Sequence, residues 1–193
     1  MRAPAKLTWS LRVVGVRDDG YHLIDAEMVT LDLADVLTVT PAEETTLTVS
    51  GPFTEGVPTD ARNLVVRALA AVQRSAAVHL DKQIPNGGGL GGGSADAAAI
   101  LRWAGIGDLA VAAGLGADVP FCVVGGRARV TGIGEVVAPL PHVARTVTLV
   151  VPPLRVSTPA ANGPDTDSVV SPAGVTVNES ARSSVSISES MRW

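Results

Sequence analysis

A run of six glycines is the part of this sequence with the clearest chemical capability: Ile84-Pro85-Asn86-Gly87-Gly88-Gly89-Leu90-Gly91-Gly92-Gly93-Ser94-Ala95-Asp96. Without Cβ atoms, such a backbone turns freely and approaches a ligand closely. Its N–H groups, followed by a helix amino terminus, form an anion site that needs no basic side chain, and phosphate is the natural guest. A flexible linker is the alternative, but the run is gripped between a β-rich segment and an alanine-rich helix. No Gly-Lys-Ser/Thr closes it, so it is not a Walker loop. No βαβ unit opens the chain, as a dinucleotide fingerprint would require. Lysine is the second signal: only Lys6 and Lys82 occur among fifteen basic residues. Arginine serves a surface equally well, so each lysine marks a position that wants a compact ammonium.

The elements that must carry these groups can be read from periodicity. Leu7–Val14 reads as a strand ended by the turn Asp18-Asp19-Gly20. Residues 23–33 alternate, with Ile24, Ala26, Met28 and Thr30 on one side. Val36–Thr40 and Thr45–Val49 read as strands of an antiparallel hairpin. Thr59 or Asp60 caps an expected helix through Val72, and Val78–Ile84 reads as a strand leading into the glycines. Ala95–Trp103 reads as a helix with Ser94 and Asp96 in its first turn, and Gly107–Gly114 as a short helix. Val119–Val124, Arg127–Thr131, Glu135–Leu140 and Thr146–Val151 read as strands.

Composition bounds the rest. The 193 residues hold 46% hydrophobic and 18% charged residues, enough apolar material for one packed domain. A net charge of -4 and 3% aromatics argue against a nucleic-acid partner. No apolar run approaches the ~20 residues that span a bilayer, so no membrane role is expected. The single cysteine, Cys122, excludes an internal disulfide and suits a cytoplasmic location. The last 39 residues contain no leucine and many serines, so 160–193 is expected to be a disordered Ser/Pro-rich tail on a domain of residues 1–159.

The segment Pro85–Asp96 resembles the central phosphate-binding motif of the GHMP kinases. Five further segments are similar in order: Ala3-Pro4-Ala5-Lys6-Leu7, Asp19-Gly20-Tyr21-His22, Asp60–Leu64, Asp81–Pro85 and Gly116-Ala117-Asp118-Val119-Pro120-Phe121. The resemblance implies an α+β fold: a two-layer mixed sheet with helices on one face and a left-handed βαβ crossover. It implies ATP-dependent phosphorylation of an alcohol, and these segments point to the 2-hydroxyl of a cytidine diphosphate derivative, 4-diphosphocytidyl-2-C-methyl-D-erythritol. Another small-molecule kinase of the mevalonate or homoserine type, or an inactive nucleotide-binding fragment, are the alternatives.

Carried over residue by residue, the resemblance makes Asp118 the base near the acceptor hydroxyl and Lys6 its neighbour, offsetting charge on the transferring phosphoryl. Pro85, Asn86, Gly87, Gly88, Gly89, Leu90, Gly91, Gly92, Gly93 and Ser94 would hold the ATP phosphates, with Asn63 and Lys82 near the adenine. Mg²⁺ is implied by ATP chemistry, with no metal cage legible in the sequence. Tyr21 and His22, an aromatic face beside a ring nitrogen, would receive the cytosine. They suit an ordinary hairpin turn equally well. Thr8 and Thr158 fall at substrate-side positions. The chain is expected to act as a monomer or homodimer. His79 and His142 are expected to be structural, and Cys122 a small buried hydrophobe.

Three departures accompany the resemblance. Thr8 stands where the family has Asn. The Ser94–Asp118 interval is short, which suggests a trimmed helix pair. After about Ala160 nothing resembles the family's C-terminal half: Asn162 occupies an aromatic position and the second glycine-rich motif is missing. A truncated or frameshifted product lacking the C-terminal domain is the expectation.

Overall fold

Two long strands form the spine of the molecule. β1 (Arg2–Val16) and β2 (His22–Pro41) pair antiparallel from Arg2↔Val36 to Val16↔His22. The structure, a computed structural model, describes residues 1–149 and the backbone of a two-residue strand at 185–186. Thr158 and most of the expected tail lie outside the described residues. The two strands expected over 23–33 and 36–40 are one, because Leu31, Ala34, Asp35 and Leu37 are all buried and the chain has no reason to turn out to solvent there.

β3 (Thr46–Ser50) does not form the hairpin expected with residues 36–40. It pairs parallel with β4 (Ala76–Asp81), which in turn pairs antiparallel with residues 36–41 of β2. Parallel neighbours need a crossover, and α1 (Leu64–Ala71) supplies it. Its cap is Asn63, whose side chain accepts from the Val65 N–H, and not Thr59 or Asp60. β5 (Arg127–Gly132) pairs with residues 24–29 of β2, and β6 (Val136–Leu140) follows at the edge. β7 (Thr146–Val147) pairs with β8 (Val185–Ser186), a short bridge that falls within the segment expected to be a tail.

The main core lies between this sheet and four helices: α1, α2 (Gly92–Trp103), α3 (Leu109–Leu115) and α4 (Val119–Val124). In α2 every residue from Ala95 to Leu101 is buried, and the alanines let its axis sit close to the sheet. It starts at Gly92, three residues before the expected start, so Asp96 lies beyond the first turn. The strand expected at Val119–Val124 is a helix. Val119, Pro120, Phe121 and Cys122 are buried in succession, which a strand with one solvent face does not do, and Pro120 fits a first helical turn but cannot donate to a ladder. Gly125, at φ +69°, ends it. A second, smaller core holds Ala5, Leu7, Val29 and Leu31 under Ile84, Leu90 and Val147. No helix among the described residues is long and apolar enough to cross a membrane.

Candidate active site

Lys6 and Thr8 owe their direction to two irregularities in β1. Register shifts fall between Pro4 and Lys6 and between Thr8 and Ser10. Side chains alternate along a strand, yet Ala3 and Leu11 meet the main core while Ala5 and Leu7 meet the second one. Each irregularity flips the alternation, so Lys6 and Thr8 point to the helix side only over this stretch. There the Lys6 ammonium lies 3.3 Å from Asp118 Oδ2 and donates to Thr8 Oγ1 at 3.0 Å.

Burial is unequal across this pair: the Lys6 side chain is 6% exposed and that of Asp118 34%. A buried cation thus holds a carboxylate that still reaches solvent. Asp118 occupies the position before α4, yet its side chain makes no capping hydrogen bond. Its carboxylate is therefore not spent on the helix. From behind, Gly134 supports the Gly116–Asp118 turn: a Cβ on Gly134, which has φ +120°, would fall 2.4 Å from the Ala117 carbonyl oxygen. The sequence reading missed this glycine, because its role is a long-range approach with no local pattern.

The glycine run wraps the same corner. The Lys6 N–H donates to the Leu90 carbonyl at 2.9 Å, and Leu90 is buried in the second core. Gly91 adopts the left-handed conformation at φ +67° and precedes α2 with no side-chain cap. The first N–H groups of a helix have no partner within it, so α2 presents free donors beside Ser94, which is half-buried. Gly87 and Gly89 also have positive φ, and Asn86, Gly87, Gly89 and Gly93 are exposed while Gly88 is buried and Pro85 half-buried. Asn86 is tied by its amide to the Glu55 carbonyl at 3.1 Å. Backbone donors on an uncapped amino end beside an open, side-chain-free loop suit the phosphates of a nucleotide.

The other expected site residues are placed as follows. Asn63 spends its amide locally, accepting from Val65 N at 2.8 Å and donating to the Pro58 carbonyl at 2.7 Å. Lys82 is buried, its ammonium bound to Asp35 and, at 2.9 Å, to Asp96. Tyr21 and His22 are exposed at the far end of the β1–β2 hairpin, and the Arg17 guanidinium lies 5.5 Å over the Tyr21 ring. They are not brought against Lys6 and Asp118, which pair ten residues back along β1. His79 lies 2.9 Å from Thr48 Oγ1 and 3.0 Å from Ser50 Oγ on the outer strand pair. Burial pushes the Cys122 thiol up to about 12, so it stays neutral. Asp35 was also missed, since a lone aspartate in a long strand gives no sign of its partners.

Residues 63–126 match the GHMP kinases N terminal domain. A protein of Paracoccus denitrificans named 4-diphosphocytidyl-2-C-methyl-D-erythritol kinase is 46% identical over 82% of this chain and 58% of its own length. One of Jannaschia sp. with the same name is 51% identical over 72% of this chain and 54% of its own. A crystal structure of 4-(cytidine 5'-diphospho)-2C-methyl-D-erythritol kinase superposes with a TM-score of 0.67 at 37% identity, covering 83% of this chain and 62% of that one. Homoserine kinase from Cytophaga hutchinsonii, with a TM-score of 0.53 at 20% identity, agrees in fold alone. The chain thus spans little more than half the length of the curated relatives it matches. With the glycine loop, the Lys6–Asp118 pair and the mixed sheet all in this arrangement, the chain belongs to the GHMP kinases and carries their N-terminal domain.

Proposed function

We propose that this chain serves the ATP-dependent phosphorylation of the 2-hydroxyl of 4-diphosphocytidyl-2-C-methyl-D-erythritol. The observation that carries the reading is the 3.3 Å pair of Lys6 and Asp118 on the same corner as the uncapped end of α2. Its sequence likeness to the Paracoccus and Jannaschia proteins, whose names give that substrate, supports the choice of acceptor.

ATP, when bound, supplies the phosphoryl group. The N–H groups of the glycine loop and the first turn of α2 hold its phosphates, with the Ser94 hydroxyl beside them. Asp118 would accept the proton of the acceptor hydroxyl as that oxygen bonds to the terminal phosphorus and the bond from this phosphorus to the bridging oxygen breaks, releasing ADP. Lys6, held by Thr8, sets its ammonium against the charge that spreads over the phosphoryl oxygens. Tyr21 and His22, exposed at the far end of the β1–β2 hairpin, would supply a ring and an imidazole to the cytosine end of the substrate, away from the reacting hydroxyl. Among the described residues no group of three or more His, Cys, Asp or Glu gathers to hold a metal ion. A Mg²⁺ ion bound with ATP would meet phosphate oxygens, and no step here is routed through it.

The test is ADP release with ATP and the cytidine substrate, run beside Asp118→Ala. A substrate-dependent signal lost in the variant supports the reading; equal signals from both proteins sink it. Protection from proteolysis by CMP-containing ligands, and not by mevalonate or homoserine, is expected.

A further inference from the structure

Beneath the glycine loop lie three ionisable side chains that the proposed chemistry leaves unused. Asp35 comes from β2, Lys82 from the residue after β4 and Asp96 from the second turn of α2. Their exposures are 0%, 4% and 3%. The Lys82 ammonium donates to Asp35 Oδ2 and, at 2.9 Å, to Asp96 Oδ2. Asp35 Oδ1 accepts from the backbone N–H groups of Gln83 (2.6 Å) and Ile84 (2.8 Å), which fixes the chain as it enters the loop. Among the described residues Asp96 Oδ1 is buried with no hydrogen-bond partner. The cluster also touches the start of the helix: a Cβ on Gly92 would lie 3.1 Å from Lys82 Nζ and 3.4 Å from Asp35 Oδ2.

Two carboxyl groups sharing one ammonium leave an unmet oxygen and, once Asp96 ionises, a buried negative charge, an expensive arrangement when apolar residues would fill the space. What it provides is geometry. Three separate segments meet at one ammonium, and all three border the loop.

We propose that Asp96 is a positioning residue for the phosphate-binding end of α2, holding Lys82 against Gly92 so that β2, the Gln83–Ile84 segment and the helix start move as one body. The proposal rests on the reading of that helix end as a nucleotide site. Burial, with a further contribution from Asp35 and opposed by Lys82, pushes the Asp96 carboxyl up to about 7. Its form therefore changes near neutral pH. The groups facing it are Lys82 and Asp35, and Cys122 of α4, which stays neutral. On this side of β1 and α4 the charges are Lys6 and Asp118, paired with each other; α1 has only the exposed Arg67, and α3 has none.

The experiment compares the full chain with Asp96→Asn by amide hydrogen exchange over residues 83–97 and by calorimetric titration with a non-hydrolysable ATP analogue at several pH values. The variant should exchange faster in this segment, with β2–β5 amides unchanged, bind the analogue about tenfold more weakly, and lose the pH dependence of binding near neutrality. Loop exchange and affinity equal to those of the parent would overturn the proposal. If neither protein binds the analogue, the nucleotide reading falls, and exchange in the loop still decides the role of Asp96. Should Asp96→Asn not fold, the parent decides: amides of Gln83, Ile84 and the first exchangeable turn of α2 should open with one common free energy, and separate openings would refute the single body.

Discussion

Lys6 and Gly91 are fitted to each other. A Cβ on Gly91 would lie 2.7 Å from Lys6 Cγ, and the neighbouring Leu90 carbonyl accepts the Lys6 N–H at 2.9 Å. The residue proposed to meet the transferring phosphoryl and the loop proposed to hold the nucleotide are thus one mechanical unit. Gly91→Ala should break it twice, by crowding the lysine stem and by forcing a side chain into φ +67°. The conformational part alone costs about 1–2 kcal/mol. A urea melt should show at least that loss, and titration with an ATP analogue should show weakened binding.

Asp118→Asn should leave nucleotide binding near parental, since the carboxylate makes no capping bond to α4. Substrate-dependent ADP release should fall by about 10²–10⁴-fold, the usual worth of a positioned base. Parallel binding and turnover assays separate the two effects.

Thr8→Val keeps the shape of the side chain and removes the oxygen that accepts from Lys6 at 3.0 Å. A hydrogen bond to a charged group contributes about 1.5–3 kcal/mol. The variant should lose roughly that in melts and turn over more slowly, while Thr8→Ser retains both.

Gly134→Ala should displace the Gly116–Asp118 turn, because its Cβ would fall 2.4 Å from the Ala117 carbonyl oxygen. Turnover should drop although residue 134 touches neither proposed substrate. A change at Asp118 visible by NMR without global unfolding would locate the cause.

Stability should also carry a pH slope. The Asp96 carboxyl titrates at about 7 when folded against 3.8 as a model group, so between these values the folded chain holds a proton that the unfolded chain has released. That contribution is fully present below about pH 4 and is lost as pH rises through about 7. Melts from pH 5 to 8 should show declining stability from this group, and Asp96→Asn should flatten the decline. Lys82→Met, which strands two buried carboxylates, should cost about 3–5 kcal/mol.

The sequence by itself determined the loop, the lysines and the family. Glycine runs, scarce residue types and short motifs are local, and local chemistry survives without knowledge of the fold. Periodicity likewise located β4, α1 and α2 to within a few residues. Tertiary structure decided what periodicity leaves open. Residues 119–124 read as a strand because Val, Phe and Cys suit one, yet burial on all sides and Pro120 make them helical. Residues 46–50 and 36–40 look like a hairpin, yet β4 lies between them in the sheet. Only the fold turned two strand irregularities into the aim of Lys6 and Thr8, brought Ala117 against Gly134, and joined Lys82 to Asp35 and Asp96 across 47 and 14 residues. Those partners meet through space, and a sequence records no distance between residues that are far apart along the chain.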